Sequence, residues 1–551
     1  MVSVTAKGEA TISHLPAEVL LLVFKIYSMV EWRGGDVPWI KITHVCRAWR
    51  ETALSAAALW SYIRLTPSTA LDRVAAWLER SQRTPLTVIS LFSLNVRRNP
   101  QENDINELIM RQLDRIRELE MYLPDATAIQ SVDAMSNYPQ LRSFACYLML
   151  DAPHDTEFPL LPYFDTMFPN LTSLAVRNFR INIGAGQFPA NLTSLILFEG
   201  NPATYATAGQ VLDILRRLPL LEEFTIGKGK LLDEGVLSLA SVSLSTVNLP
   251  HLRHLSIAEH IRPFIHLITH LAVPKGLHFH MNIQVTPDSM PIIASTAATS
   301  VIANWIKQVN LPWHTACFQL EAFSDEDDEG SGASDSLMFT ASSVGDATAL
   351  FGSHRQDLSS LTLEEAEPAM DGFWDDGYMD MLFHAFDYSS VKTLVVNADE
   401  GRPNISMTFS KFEQVETLYV VGNSMSCATD CLGFFDQRHT QEKLVFPRLK
   451  TLYLCDLYFE DYGSGESDQF YIREMLVDRA RKGARLERLV IGECREVELE
   501  DFSELGNSIA VAWATEEELK VVYDRSERSV DELAVQEGIQ QVSYSDDGEY
   551  E

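Results

Sequence analysis

The heptapeptide FPNLTSL, Phe168 to Leu174, decides how this chain is read. It carries a proline, then Leu171 and Leu174, and Val176 completes an apolar-x-x-apolar-x-apolar pattern. The arrangement recurs as YPQLRSF (Tyr138–Phe144), LPLLEEF (Leu218–Phe224), LPHLRHL (Leu249–Leu255) and FPRLKTL (Phe446–Leu452), with FPANLTSL (Phe188–Leu195) one residue longer. An apolar triplet of this kind is common by chance. The proline upstream of so many copies is what makes it a repeat. Proline fits just before a strand, where its missing N–H costs least.

The first apolar positions are Ile116, Leu141, Leu171, Leu192, Leu221, Leu252, Ile268, Leu358, Val391, Val415, Leu449 and Leu486. From Leu141 the successive spacings are 30, 21, 29 and 31 residues. A period of about 20 to 50 residues points to a solenoid. Between the strands the chain reads as helix. LDRVAAWLER presents Leu71, Val74, Ala75 and Leu78 before Pro85 and a strand, and TAGQVLDILRRLP and FYIREMLVDRARKGA are similar. Arg479, Arg481 and Lys482 read as the cationic last turn of that final helix, with Gly483 as its stop. The expected fold is therefore α/β, a strand–helix body over 66–523.

The chain has 551 residues, with 44 basic and 77 acidic side chains. No basic stripe is visible, so nucleic acid is not an expected partner. A net charge of −33 also repels anionic lipid, which leaves proteins as the expected partners. The seven cysteines are an odd, scattered set, which suits reduced thiols in cytoplasm or nucleus. No apolar run is long enough for a membrane helix, and MVSVTAKGEA lacks a signal-peptide core. SDEDDEGSGASDS, 324–336, reads as a disordered acidic loop, and 524–551 as an acidic, disordered tail.

Near the N-terminus stands HLPAEVLLLVFKIYSMVEW, His14 to Trp32. Val19, Leu22, Val23 and Ile26 follow helical spacing, and Leu20, Leu21, Phe24 and Tyr27 fill the opposite side. Pro16 suits a first helical position and Glu18 suits the first turn. After Gly34-Gly35 a second helical stretch runs from Trp39 to Trp60. A helix that is apolar nearly all round has to be covered on more than one side. Either the module docks on its own chain, or part of its face receives another protein.

Leu15-Pro16-x-Glu18-Val19-Leu20-x-x-Val23-Phe24, followed by Val45-Cys46-Arg47-x-Trp49 and Leu59-Trp60, resembles an F-box over 12–63. The departure is a slightly long connection around Gly34-Gly35. The resemblance implies a three-helix module that binds the small Skp-type adaptor of a cullin–RING ubiquitin ligase. It implies that Leu15, Pro16, Leu20, Val23, Phe24, Val45, Cys46 and Trp49 face the adaptor or hold the face that does. The body resembles a degenerate leucine-rich-repeat array, with Asn423 and Cys494 where that repeat keeps Asn or Cys. The combination is similar to fungal F-box proteins. The expectation is a substrate receptor with no chemistry and no cofactor of its own. A non-ligase F-box scaffold and an enzyme built on repeat loops are the alternatives.

Other motifs yield to plainer readings. Asp325-x-Asp327-x-Glu329-Gly330 begins like a calcium loop, but its twelfth position is Ser336. Cys427, Cys431 and His439 lack a fourth zinc ligand. Gly227-Lys228-Gly229-Lys230 is a turn without P-loop order. His251, His254, His260, His266, His270, His278 and His280 read as strand and loop histidines. Phe373, Trp374, Tyr378, Phe383, Phe386 and Tyr388 read as core, with a binding hot spot as the alternative.

Overall fold

The computed structural model describes residues 15–30, 38–66, 69–90, 101–123, 125–130, 132–133, 135–148, 158, 163–179, 188–198, 207–227, 246–285, 296–309, 313–323, 334–342, 359–365, 386–398, 406–422, 444–459, 467–498, 502, 505, 509–515 and 518. The chain forms two compact units, Met1–Ala206 with Arg217–Leu221, and Thr207–Arg216 with Glu222–Glu551. They divide the stretch that the sequence reads as one body. Both are mixed α/β with parallel strands. No helix among the described residues is long and apolar enough to cross a membrane.

The first unit opens with α1 (Ala17–Val30), a 3-10 turn (Pro38–His44), α2 (Arg47–Ser55) and a second 3-10 turn (Ala57–Leu59). The single second helix expected from the sequence is thus broken at Val45-Cys46. The break is stabilised locally, because the Trp49 N–H donates to the Cys46 sulfur at 3.5 Å. Strands β1 (Tyr62–Leu65), β2 (Leu86–Ser90), β3 (Ile116–Leu123), β4 (Ser143–Leu148), β5 (Ser173–Arg177) and β6 (Ser194–Phe198) then pair in chain order, all parallel. Parallel neighbours need a crossover; α3 (Leu71–Arg80) bridges β1 to β2, and α4 (Glu102–Met110) lies between β2 and β3. The register keeps the pattern aligned: Phe144 lies opposite Leu174 and Leu174 opposite Leu195. All three are buried, and each such side chain contributes about 1.5–3 kcal/mol by leaving water.

The structure extends the repeat at both ends of the strand. The first apolar N–H closes a four-residue turn: Leu171 onto the Phe168 carbonyl at 3.0 Å, Leu252 onto Leu249 at 3.2 Å and Leu449 onto Phe446 at 3.1 Å. Proline therefore stands second in a turn, where its locked φ fits, rather than directly against the strand. Repeats without proline keep the turn, with Val391 bonded to Tyr388 and Val415 to Phe412. The residue opening the turn is a buried apolar side chain at Phe168, Leu249, Tyr388, Phe412 and Phe446. Some of these rings stack on one another, Tyr388 against Phe412 at 4.1 Å. At the strand exits, Asn178 (φ 60°), Gly422 (φ 135°), Asp456 (φ 54°) and Glu493 (φ 50°) occupy one equivalent position with positive φ.

In the second unit β7 (Glu223–Ile226), β9 (His254–His260), β11 (His278–Val285) and β14 (Ser359–Glu365) pair in parallel. β13 (Ser334–Ser342) is antiparallel to both β14 and β12 (Thr315–Phe323). β12 is parallel to β15 (Thr393–Ala398), and β16 (Thr417–Val421), β17 (Thr451–Cys455), β18 (Arg488–Gly492) and β19 (Ala510–Trp513) follow in parallel. The sequence gives no sign of this antiparallel excursion. Ser334, Asp335 and Ser336, expected in the disordered loop, belong to β13, where backbone pairing with β12 outweighs their polar composition. Ile268, expected to open a strand, is buried in the helix Ile261–Thr269, and the strand β10 (Leu271–Ala272) starts later and pairs with β8 (Val247–Asn248).

The helix Asp468–Arg481 ends as expected at Gly483, φ 85°. Arg479, expected among the helix-end cations, points elsewhere. It is buried, and its guanidinium donates to the Val445 carbonyl at 2.6 Å and the Phe446 carbonyl at 2.7 Å. Phe446 has φ 50°, so the fork fastens a strained turn before β17. Lys482 pairs with Asp478 at 2.7 Å. The remainder of the acidic loop, the tail from 524, Leu358, Asn423, Cys427, Cys431, His439, Phe373, Trp374, Tyr378 and Phe383 lie outside the described residues.

Candidate functional site

Helix α1 starts where the Leu20 N–H bonds the Pro16 carbonyl at 3.0 Å, so Pro16 caps the helix from just outside it. Two faces then part company. Leu20 and Phe24 are buried at 5% and 1% exposure, alongside Ile42, Ala53, Leu59 and Trp60. The Phe24 ring meets Trp49 edge-on, centroids 5.1 Å apart. The Trp60 indole N–H donates to the Ala53 carbonyl at 2.9 Å, and the Arg80 guanidinium lies 4.5 Å over its ring. The Arg50 guanidinium reaches the Thr43 carbonyl at 2.8 Å. This small core locks α1, the 3-10 turn and α2 together.

The other face of α1 is open. Val19, Leu22, Val23 and Ile26 are exposed, Leu22 at 58% and Ile26 at 53%, and Leu15 continues the row. Val45 is 60% exposed. Apolar side chains of this size scattered singly need no explanation, but a contiguous stripe marks an interaction surface. Of the residues implicated by resemblance, Leu15, Pro16, Val23, Val45 and Cys46 are exposed and Trp49 is half-buried. Leu20 and Phe24 are interior and shape the face from beneath. Val19, Leu22 and Ile26 were absent from that set. Their spacing puts them on one face with Val23, but a helix apolar all round does not reveal which side its own module covers.

A second surface is the strand face turned away from the core. In the first unit Tyr122, Tyr147 and Arg177 stand at one register on β3, β4 and β5. The two phenol rings are 4.7 Å apart, and Glu120 sits one pleat back on the same face of β3. Burial pushes both tyrosines and Glu120 up and Arg177 down from their ordinary values. In the second unit Tyr419 and Tyr453 stack at 4.2 Å and 9°, and the Tyr453 hydroxyl lies 3.1 Å from Glu518. Glu518 also pairs with Arg488 at 2.8 Å and accepts the Thr515 N–H at 2.9 Å. Burial alone would raise the Glu518 carboxyl, but its hydrogen bonds from Thr515, Tyr453 and Arg488 hold it below the usual range.

The histidines do not converge on a centre. His254 and His278 stack at 5.6 Å on neighbouring strands, and the His270 ring bonds the His266 carbonyl at 2.9 Å at the end of the helix Ile261–Thr269. Among the described residues no group of three His, Cys, Asp or Glu side chains could hold a metal ion. Cys494 sits where its thiol donates to the Leu454 carbonyl at 3.3 Å. Asn178, which the sequence did not flag, donates to the Leu148 carbonyl at 2.7 Å from a strand exit. Phe386 and Tyr388 are core.

No family model matches the chain, and no curated protein matches it.

Proposed function

We propose that the chain is the substrate-recognition subunit of a Skp–cullin–F-box ubiquitin ligase. The observation that carries this reading is the outward apolar stripe of α1, together with exposed Val45. It lies within the segment that resembles an F-box and includes the motif residues Leu15, Val19 and Val23, and an adaptor helix laid there would bury side chains the module leaves in water. The body is read as an irregular leucine-rich-repeat-like solenoid of strand–helix turns that receives a protein target. Its in-register parallel strands and recurrent turn support that reading.

Such a subunit performs no chemistry. It holds a target beside the ubiquitin-charged enzyme and raises the effective concentration of the acceptor lysine. It works in cytoplasm or nucleus, where cullins are. The acidic surface favours a partner with basic segments, and target binding that ignores ionic strength would count against that clause.

The test is co-expression with a Skp-type adaptor and size-exclusion chromatography of wild type beside Val23→Asp/Val45→Asp. Both positions are exposed, so the double variant keeps the module core. Co-elution of wild type but not of the variant supports adaptor docking. If neither co-elutes, the reading falls. Adaptor recovered without any cullin points instead to a non-ligase scaffold.

A further inference from the structure

Two constellations on the strand faces share a chemistry. Each has paired tyrosines on adjacent strands and an arginine on the strand after them. In the second unit a glutamate of the chain itself, Glu518, lies on both the tyrosine hydroxyl and the arginine. In the first unit Arg177 acts electrostatically on Tyr122 and Tyr147, and among the described residues no carboxylate is within ion-pair distance of it. We infer that Tyr122, Tyr147 and Arg177 form a recognition point for a single carboxylate of a peptide partner. The inference deepens the reading of the body as a target-binding surface and does not require the adaptor.

Three arguments fix the occupant. The guanidinium fork matches a carboxylate, and a phenol hydroxyl donates to the lone pairs the fork leaves over, as Tyr453 does for Glu518. The site is half-buried, where net charge is costly. One carboxylate offsets the single guanidinium beside the phenols, whereas a phosphate dianion would bring a second negative charge to a face that already carries Glu120. The chain is also strongly acidic, so a run of acidic residues is repelled. The fitting partner carries one Asp or Glu among neutral or basic residues.

The experiment uses the full chain, purified without any adaptor, as bait for a display library of random heptapeptides. The expected result is a selected motif with one Asp or Glu at a fixed position. A synthetic copy of that peptide should bind at least about tenfold more tightly than its Glu→Gln form. Arg177→Gln should erase the difference between the two peptides, and Tyr147→Phe should narrow it. Arg111→Gln, on a helix surface away from this face, should leave it unchanged. The peptide-side comparison on wild-type protein stands even if an Arg177 variant folds poorly. The inference is overturned by an empty selection, by a motif without a fixed acidic residue, by an Arg177→Gln protein that still discriminates, or by tighter binding of a phosphoserine replacement. Because no adaptor is present, these outcomes are independent of whether the α1 face docks one.

Discussion

The Phe24 ring meets Trp49 edge-on at 5.1 Å, and this contact decides which side of α1 is available. It turns Phe24 and Leu20 inward and leaves Leu22 and Ile26 in water. Phe24→Ala should therefore cost the module about 3–5 kcal/mol. Leu22→Ser/Ile26→Ser should change stability by less than about 1 kcal/mol. Amide hydrogen exchange over 17–55 reads both. Fast exchange after Leu22→Ser/Ile26→Ser would mean that this face is covered by the chain itself.

Arg479 holds the turn before β17 through two backbone carbonyls while almost wholly buried. Burial lowers its pKa to about 10. Arg479→Met should destabilise the second unit by about 3 kcal/mol, because both carbonyls lose their donor. Arg479→Lys should recover little, since an ammonium cannot serve two carbonyls with the same fork. Urea unfolding of the three proteins checks this. A lysine variant as stable as wild type would show that charge, not the fork, is what matters.

Much of the strand–helix alternation was legible because each strand entry combines a turn with a fixed apolar triplet. Leu171, Leu252 and Leu449 are buried where the pattern places them. What escaped depends on pairing at a distance. The β12–β14 excursion has no local signature, since an antiparallel strand and a loop can share a composition such as Ser334–Ser336. Ile268 satisfied the triplet by chance inside a helix. For the site, the sequence supplied the right helix but not the side, because Val19 and Leu20 are equally apolar and only tertiary packing separates them.

Gly422 stands at a strand exit with φ 135° and is buried. The equivalent positions hold Asn178, Asp456 and Glu493 at φ near 50–60°, a region open to ordinary side chains at modest cost. A φ of 135° suits glycine alone. Gly422→Ala should therefore cost about 1–3 kcal/mol, and Glu493→Ala less than about 1 kcal/mol. Thermal melts of the two variants separate the positions. Equal shifts would mean that the exits tolerate the same residues.

The buried and half-buried tyrosines make the fold sensitive to alkali. Burial raises Tyr62 to about 12 and pushes Tyr122, Tyr147, Tyr419 and Tyr453 upward from 10.0. A folded-state value above the unfolded one means that the native state holds the proton longer. The associated stability is complete below pH 10 and is lost as pH rises toward 12. Arg479 works in the opposite sense, because its lowered value makes burial cheaper as pH passes about 10. Arg64, Arg115 and Arg177 are lowered by burial in the same way, but the five raised tyrosines outnumber these four arginines, so the net expectation is unfolding above about pH 10. Absorbance of phenolate should rise together with loss of far-ultraviolet ellipticity. Tyrosines that ionise fully near pH 10 while the helices and strands persist would show that these positions are solvated rather than buried.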